Sequence, residues 1–568
     1  MNYRYKFWQQ NKSFLIILVV VASYYLKQYF SFRLGLHFEE GRDANAYLLA
    51  IQGNLAYRDF QWVYGPFAFF VYPVLMKIFG FNLIVLRVSY IVFTSLIIPL
   101  AYFLARRIMP PLWAGIAAFL SIVFFDVPYY TYNHIFLTLG AMICLLMICL
   151  YMETNRKILY LILAGISCSI CLLTKPLVSG ITIFAAISLF ILLYKDLGSL
   201  GKRFKDILMF SIAAVFLPLI YSLYFYFQTR LKGIAVAHPY FAKDSSLFAD
   251  QAPRIMSIIP RLIERITTLL PIKTIINLTS FTELKKVLIA SFDNFIVILP
   301  FLTCALLLLV YNRSKFSNQR TEIREEIKKN KRFFLLFGLF SIFISLESLV
   351  MSHIYNRSFT IQTPFIVTVY LLYLFKRIHQ RKRLFAAILI VLFSLSFVSF
   401  FRYPYSRLKK NTKILNLERS RGILVTPQEK RMYESLSLYL SDNLKAKDKI
   451  AVIGYYPQLS FLTEQENIFA KDDYIFPNLE VLFWRARKTG RAILSGNLLE
   501  NKIMSMMRTQ KPKIVLTINA DYLPNFRMIS PKIKDYLAEN YLLERKFEPA
   551  QILGNENEKA RVYAYKLN

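Results

Sequence analysis

The sequence predicts a polytopic α-helical membrane protein of about eleven spans, followed by a small extracytoplasmic α/β domain. Three observations carry that prediction. The 568 residues are 56% hydrophobic and 16% aromatic, with a mean hydropathy of +0.41, which is too apolar for an ordinary soluble protein. Apolar stretches approaching the roughly 20 residues needed to cross a bilayer recur between short basic loops. After Arg402 the pattern changes to strands alternating with helices.

The spans fall near 14–30, 82–105, 112–126, 135–152, 158–174, 177–194, 207–227, 287–311, 333–351, 360–375 and 384–401, the third and fifth being short. Charge sorts the loops between them. Arg4, Lys6 and Lys12 precede the first span, and Arg106, Arg107, Arg156, Lys157, Lys195, Lys202, Arg203 and Lys205 continue on the same side. The dense run 313–332 and the cluster Lys376, Arg377, Arg381, Lys382 and Arg383 fall there too. By the positive-inside rule the N-terminus is then cytoplasmic in an inner (plasma) membrane, and everything after Arg402 faces outward. The net charge of +35, from 70 Lys and Arg against 35 Asp and Glu, therefore reads as membrane topology and not as a nucleic-acid footprint. No small-residue cleavage site follows Phe30, so the first apolar run is expected to stay as a helix. The division is a membrane module over 1–401, with outward loops at 31–81, 126–134, 228–286 and 352–359, and an exported domain over 402–568.

Cys144, Cys149, Cys168, Cys171 and Cys304 all lie in predicted spans, which leaves the tail without a disulfide framework. Cys168 and Cys171 have CxxC spacing, but within an apolar helix they read as small packing residues. In the loop 228–286, PRIMSIIPRLIERITTLLP spaces Ile and Leu helically with Arg opposite, the pattern of a helix lying in the interface or capping the bundle. The run 313–332 reads as a solvated cytoplasmic helix or loop. In the tail, Thr426, Pro427 and Glu429 form a capping box that starts a helix towards Leu444. KDKIAVIGYY, KPKIVLTIN and ARVYAYKLN read as strands, and PKIKDYLAEN as a helix. No GxGxxG follows either of the first two strands, so nucleotide binding is not supported.

The chemistry-bearing residues gather in the first outward loop, EEGRDANAYLLAIQGNLAYRDFQWVYGPFAFFVYPVLMKIFG from Glu39 to Gly80. Asp43 is followed one helical turn later by Tyr47, then by Gly53, by Tyr57, Arg58 and Asp59, and by Tyr64, Gly65 and Pro66. This pattern resembles the first extracytoplasmic loop of the GT-C glycosyltransferases, particularly bacterial relatives of the protein O-mannosyltransferases and the lipid A aminoarabinose transferases. The resemblance is strongest over 39–80, more diffuse through the spans and weak in the tail. It implies a GT-C-like fold, a polyprenyl-phosphate sugar as donor, and a glycan, lipid or protein as acceptor. It also implies that Asp43 is the catalytic carboxylate, taking the acceptor proton during an inverting transfer. Without the resemblance, Asp43 would read as a solvated loop carboxylate. Arg58 with Asp59, and the Tyr64-Gly65-Pro66 turn, are expected to hold the loop in shape.

Other outward residues join this reading as candidate substrate contacts. Glu39 and Glu40 can orient acceptor hydroxyls or raise the Asp43 pKa by like-charge repulsion, or be plain surface. Asp126 and His134 occupy the second outer loop, where Asp43 and Asp126 can chelate Mg²⁺ or Mn²⁺ with phosphate oxygens, or Asp126 can organise an acceptor pocket. His37, His134, His238 and His353 map outward and His379 inward, in no zinc-site spacing. Lys175, in LLTKPL, and Arg357, in SHIYNRSF beside His353, are cations placed for a carrier phosphate, with snorkelling to lipid headgroups as the alternative. Two rival functions are a lipid-linked-sugar flippase or transporter, against which no paired broken helices are seen, and an oligosaccharide polymerase or ligase.

Overall fold

The computed structural model describes residues 3–36, 38–60, 62, 64–123, 132–154, 156–175, 180–229, 320–350, 362–378, 408–445, 447–453, 458–469, 498–519, 531–551 and 559–568. The expected spans 287–311 and 384–401 and the 230–286 segment lie outside these residues, as do His37, Asp126, His238, Cys304, His353, Arg357 and His379.

The helical part opens with α1, Tyr3–Ser31, and α2, Phe38–Ile51. A one-turn 3-10 helix, Pro66–Phe70, leads into α3, Tyr72–Phe79. Then follow α4, Leu83–Ser95; α5, Ile97–Ala105; α6, Pro111–Val123; α7, His134–Glu153; α8, Ile158–Thr174; α9, Ile181–Leu193; and α10, Leu200–Thr229. Two more helices, α11 (Arg320–Val350) and α12 (Gln362–Ile378), complete the described bundle. Among the described residues, the stretches Lys12–Ser31, Leu83–Ala105, His134–Glu153 and Leu200–Gln228 are long and apolar enough to cross a bilayer, with several shorter apolar helices beside them.

The second span is two helices because Pro99 has no N–H to give the Ser95 carbonyl, and the break falls at Leu96. α7 lies deep in the bundle, and α8 approaches it closely because Gly140 has no side chain. A Cβ there would lie 2.8 Å from Cys171 Sγ and 2.9 Å from the Ser167 carbonyl. Gly165 plays the same part between α8 and Ala213 of α10. Cys168 and Cys171 are buried free thiols in this packing. Within the run 313–332, residues 320–332 are helical as the start of α11, and 313–319 lie outside the described residues.

α7 runs for about 30 Å between two chemically different ends. At its C-terminal end Arg107 pairs with Glu153, Arg156 donates to the Asp196 carbonyl, and Arg332 donates to the Met152 carbonyl at 3.4 Å. At its N-terminal end lie His134 and α2.

The tail begins with a short antiparallel pair, β1 (Lys413–Ile414) with β2 (Leu424–Val425). Helix α13, Pro427–Asn443, carries both arms of the capping box expected at Thr426 and Glu429. After β3 (Ile450–Ile453) come α14 (Gln458–Thr463), α15 (Leu498–Gln510), β4 (Ile514–Asn519), α16 (Pro531–Asn540), β5 (Tyr541–Gln551) and β6 (Lys559–Leu567). The mixed sheet has the order β3-β4-β6-β5, with β3 and β4 parallel and the other pairs antiparallel. Four of its elements match the strands and helix read from KDKIAVIGYY, KPKIVLTIN, PKIKDYLAEN and ARVYAYKLN, while β5 was not foreseen.

The tail docks on the end of the bundle that bears α2. The Gly35 N–H donates to the Leu424 carbonyl, and the Leu424 N–H to the Arg33 carbonyl, both at 2.7 Å. The Asn82 side chain, which also caps α4, donates to the Glu418 carbonyl at 2.9 Å.

Candidate functional site

The acidic start of the first loop is helical. Glu39 and Glu40 stand in the first turn of α2, where carboxylates suit the positive end of the helix dipole. Ala44, Ala46, Leu48, Leu49 and Ala50 carry the helix on to Ile51. It stops where Gly53 takes φ +88° and the Asn54 N–H returns to the Leu49 carbonyl at 3.0 Å. Asp43 is therefore not a solvated loop carboxylate: it is fully buried, as are Glu40 and Tyr47.

A buried charge needs compensation, and each of the two buried acids has a different arginine. Glu40 is gripped at both oxygens by Arg87 of α4, whose Nε donates to Oε1 at 2.8 Å and whose second nitrogen donates to Oε2 at 2.5 Å. Arg87 also donates to the carbonyls of Phe32 at 2.9 Å and Gly35 at 2.6 Å. Tyr132 completes the cluster, its hydroxyl donating to Glu40 Oε1 at 2.6 Å. Burial first, then the Glu40 charge, hold that phenol well above its ordinary range, so it stays a donor. Glu40 thus faces a closed network of protein groups, and the Glu39 side chain lies outside the described residues.

Asp43 is paired to its neighbour Arg42, with Nε and a terminal nitrogen each 3.0 Å from Oδ1. The Asn133 amide approaches Oδ2 at 3.5 Å. Arg42 lies over two aromatic faces, 5.5 Å from the Tyr64 ring centre and 5.9 Å from that of Trp62. The Tyr64 ring also meets the His134 ring edge-on at 5.0 Å. Lys175, 6% exposed, follows Thr174, whose carbonyl accepts from the Gly65 N–H. Tyr47, one turn beyond Asp43, stacks on Tyr72 at 5.2 Å. Its hydroxyl has no hydrogen-bond partner among the described residues. Burial, and then the Asp43 charge, hold the Tyr47 phenol well above its ordinary range.

The loop after α2 is built to hold this arrangement. Arg58 clasps Asp59 through two bonds of 2.9 and 2.7 Å, and Asp59 accepts from the Leu55 N–H at 2.7 Å. Tyr57, at φ +68°, donates its hydroxyl to the Tyr64 carbonyl. Pro66 starts the 3-10 turn, and the Gly65 N–H donates to the Thr174 carbonyl at 2.8 Å. A Cβ on Gly65 would stand 1.9 Å from the Leu173 carbonyl oxygen, so only glycine lets the turn reach the end of α8 beside Lys175. A groove of about 280 Å³ opens at the other end of α2, between Gly53–Ala56, Phe69, Phe70 and the α10 residues Tyr221, Tyr224 and Gln228.

Asp43, Tyr47, His134 and Lys175 are thus brought into one buried assembly, and Glu40 stands one turn away from it. Four contributors were not singled out from sequence: Arg87, Tyr132, Asn133 and Tyr72. Arg87 had a signal, since it is an ionisable residue inside the predicted span 82–105.

Residues 46–231 match the family model described as dolichyl-phosphate-mannose-protein mannosyltransferase, a match that begins just past Asp43. Among solved structures, the apo oligosaccharyltransferase of Archaeoglobus fulgidus aligns over 91% of this chain and 70% of its own, at 14% identity and a TM-score of 0.52. ArnT from Cupriavidus metallidurans, solved with undecaprenyl phosphate bound, aligns over 97% of each chain at 10% identity and a TM-score of 0.50. At such identities the likeness is one of fold. No curated protein matches the chain by sequence alone.

Proposed function

The chain has the fold of the GT-C membrane glycosyltransferases, and on that premise we propose that it moves a sugar from a polyprenyl-phosphate donor to an acceptor at the extracytoplasmic face. The observation that carries the reading is a buried carboxylate, Asp43, paired to Arg42, with His134 beyond the Tyr64 ring that Arg42 covers and the buried Lys175 next to Thr174, to which the Gly65 turn is bonded. Transfer from a lipid phosphate needs a base for the acceptor and positive charge for the departing phosphate, and these are the groups assembled here. In the proposed step the acceptor oxygen attacks the sugar C1 from the face opposite the phosphate. Its proton passes to Asp43, the bond from C1 to the phosphate oxygen breaks, and the phosphate leaves with the electron pair, so the anomeric centre inverts. Arg42 and Lys175 stabilise the leaving phosphate, joined by Arg357. Tyr47 and His134 orient the acceptor. Glu40, bonded to Arg87 and Tyr132, holds α2 in place.

The family match over 46–231 and the undecaprenyl phosphate bound to ArnT support a lipid-phosphate donor. The basic residues gathered at the far end of α7 support an eleven-span topology with that end cytoplasmic and the 402–568 domain outside. Digestion of the tail by trypsin in spheroplasts, with protection in inverted vesicles, is the expected result. A divalent ion, Mg²⁺ or Mn²⁺, would be held by Asp43 and Asp126 and would supply positive charge to the departing phosphate, in competition with Arg42 for the Asp43 carboxylate. Loss of transfer in EDTA that Mn²⁺ restores would identify it.

The deciding experiment is Asp43→Asn, assayed for transfer from extracted polyprenyl-phosphate sugars in membranes. Removing a general base should lower the rate about 10²–10⁴-fold. Undiminished transfer by a folded Asn variant would sink the assignment.

A further inference from the structure

We infer that the C-terminal domain is a positioning element of the Asp43 site, acting through helix α14 pressed against Gly41; this rests on the function proposed above. α14 lies on α2 so closely that a Cβ on Gly41 would fall 2.3 Å from the Cα of Gln458 and 2.4 Å from its nitrogen. These are backbone atoms, so no side-chain rotation relieves the clash. One turn further along the same face, the Asn45 amide donates to Ser460 Oγ at 3.2 Å. Gly41 and Asn45 therefore define the face of α2 that the tail covers.

Successive residues of an α-helix are turned by about 100°, so Gly41 and Asp43 point about 200° apart. Asp43 and Tyr47 occupy the opposite face, against Asn133, Trp62 and Tyr72. α2 is thus held between the bundle on its chemical side and the tail on its other side. α14 is braced from behind. Gln458 is 3% exposed and its amide donates to the Tyr433 hydroxyl of α13 at 3.4 Å, while Arg419 donates to the Phe461 carbonyl at 3.1 Å and covers its ring. The close backbone approach of α14 to α2 is one that only glycine at position 41 permits. Because α14 touches the face of α2 away from Asp43, Gln458 and Ser460 act as positioning residues, through α2.

The test uses the full chain in membranes. Asn45→Cys with Ser460→Cys reports docking as a disulfide, and Gly41→Val is placed in that background and, separately, in the wild type. The expected result is that Gly41→Val abolishes the disulfide and lowers kcat about a hundredfold, as a displacement near 1 Å can. KM for the extracted polyprenyl-phosphate sugars should change far less than kcat, since of the cations placed against the donor phosphate only Arg42 lies on α2, while Lys175 stands at the end of α8. Gln458→Ala should not rescue Gly41→Val, because the clash is with backbone. Where the valine variant is not recovered in the membrane, Gly41→Ala is read in the same way. Loss of the disulfide with kcat unchanged would overturn the inference, and so would an unchanged disulfide whatever the rate. Asp43→Asn in the same assay separates the two claims: if it alone abolishes transfer, the proposed function stands and the positioning role of the tail falls.

Discussion

At the end of the bundle that carries α2, charged side chains such as Glu40, Arg42, Asp43 and Arg87 are 5% exposed or less. In the sheet domain, among the described residues, ion pairs such as Lys513–Asp448 and Lys566–Glu544 sit at the rim. Lys513 with Asp448 is 34% and 27% exposed, and Lys566 with Glu544 is 35% at both partners. Burying charge costs several kcal/mol per ion before any pairing offsets it, whereas rim pairs cost and contribute little. The bundle end therefore spends stability on holding charges in fixed positions, and the tail is held by packing and hydrogen bonding. A catalytic site needs the first kind of construction, and a clamp needs only the second.

The largest expected effect breaks the buried side of this comparison. Arg87→Met removes the partner of a fully buried Glu40 and leaves the carbonyls of Phe32 and Gly35 without their donor. Breaking such a pair from one side costs about 3–5 kcal/mol, read as a lower unfolding temperature in detergent. Adding Glu40→Leu should return much of it, because an apolar pair can replace a buried ion pair at little cost. If the single variant unfolds like the wild type, the Glu40–Arg87 pair does not hold α2.

The next effect is smaller and belongs to the tail. Thr426→Ala removes the side chain that accepts from the Glu429 N–H at 3.2 Å and frees the other arm of the capping box. A lost N-cap costs about 1 kcal/mol, seen as a small shift in the unfolding midpoint with transfer unchanged at low temperature. A loss of the size expected for Arg87→Met would show that α13 bears more of the clamp than its cap implies.

What was legible in the sequence divides along the same line. Helices such as α7 and α10 followed from apolar length alone, and α13 from its capping box, because local pattern decides both. The identity of Asp43 as a candidate came from the DANAY pattern, but its burial did not. That depends on Asn133, Tyr132 and Arg87 arriving from elsewhere in the chain. Reading 39–80 as a loop missed α2 because the acids at its start look like surface, although they suit a helix N-terminus. The role of Gly41 was illegible because a close approach by α14 is a tertiary fact. β5 escaped notice for a local reason. It follows α16 without a break, and irregularities between Leu543 and Arg545 and between Phe547 and Ala550 spoil the two-residue alternation that marks a strand.

The smallest expected effect tests the rim. Glu544 accepts from the Tyr439 hydroxyl and pairs with Lys566 at 3.3 Å. The Tyr439 bond first, and Lys566 after it, hold its carboxyl below the ordinary glutamate range. A depressed carboxyl adds stability at pH values above its ordinary range and loses it as the pH falls through the lowered value. Both partners are about a third exposed, so Glu544→Gln should cost less than about 1 kcal/mol at pH 7. The gap from wild type should close as the pH falls below the ordinary glutamate range and through the lowered value, and shrink in high salt. A gap that instead persists in acid would mean that Glu544 acts through packing against Tyr439, and the contrast between a charge-built site and a charge-rimmed clamp would have to be redrawn at that strand.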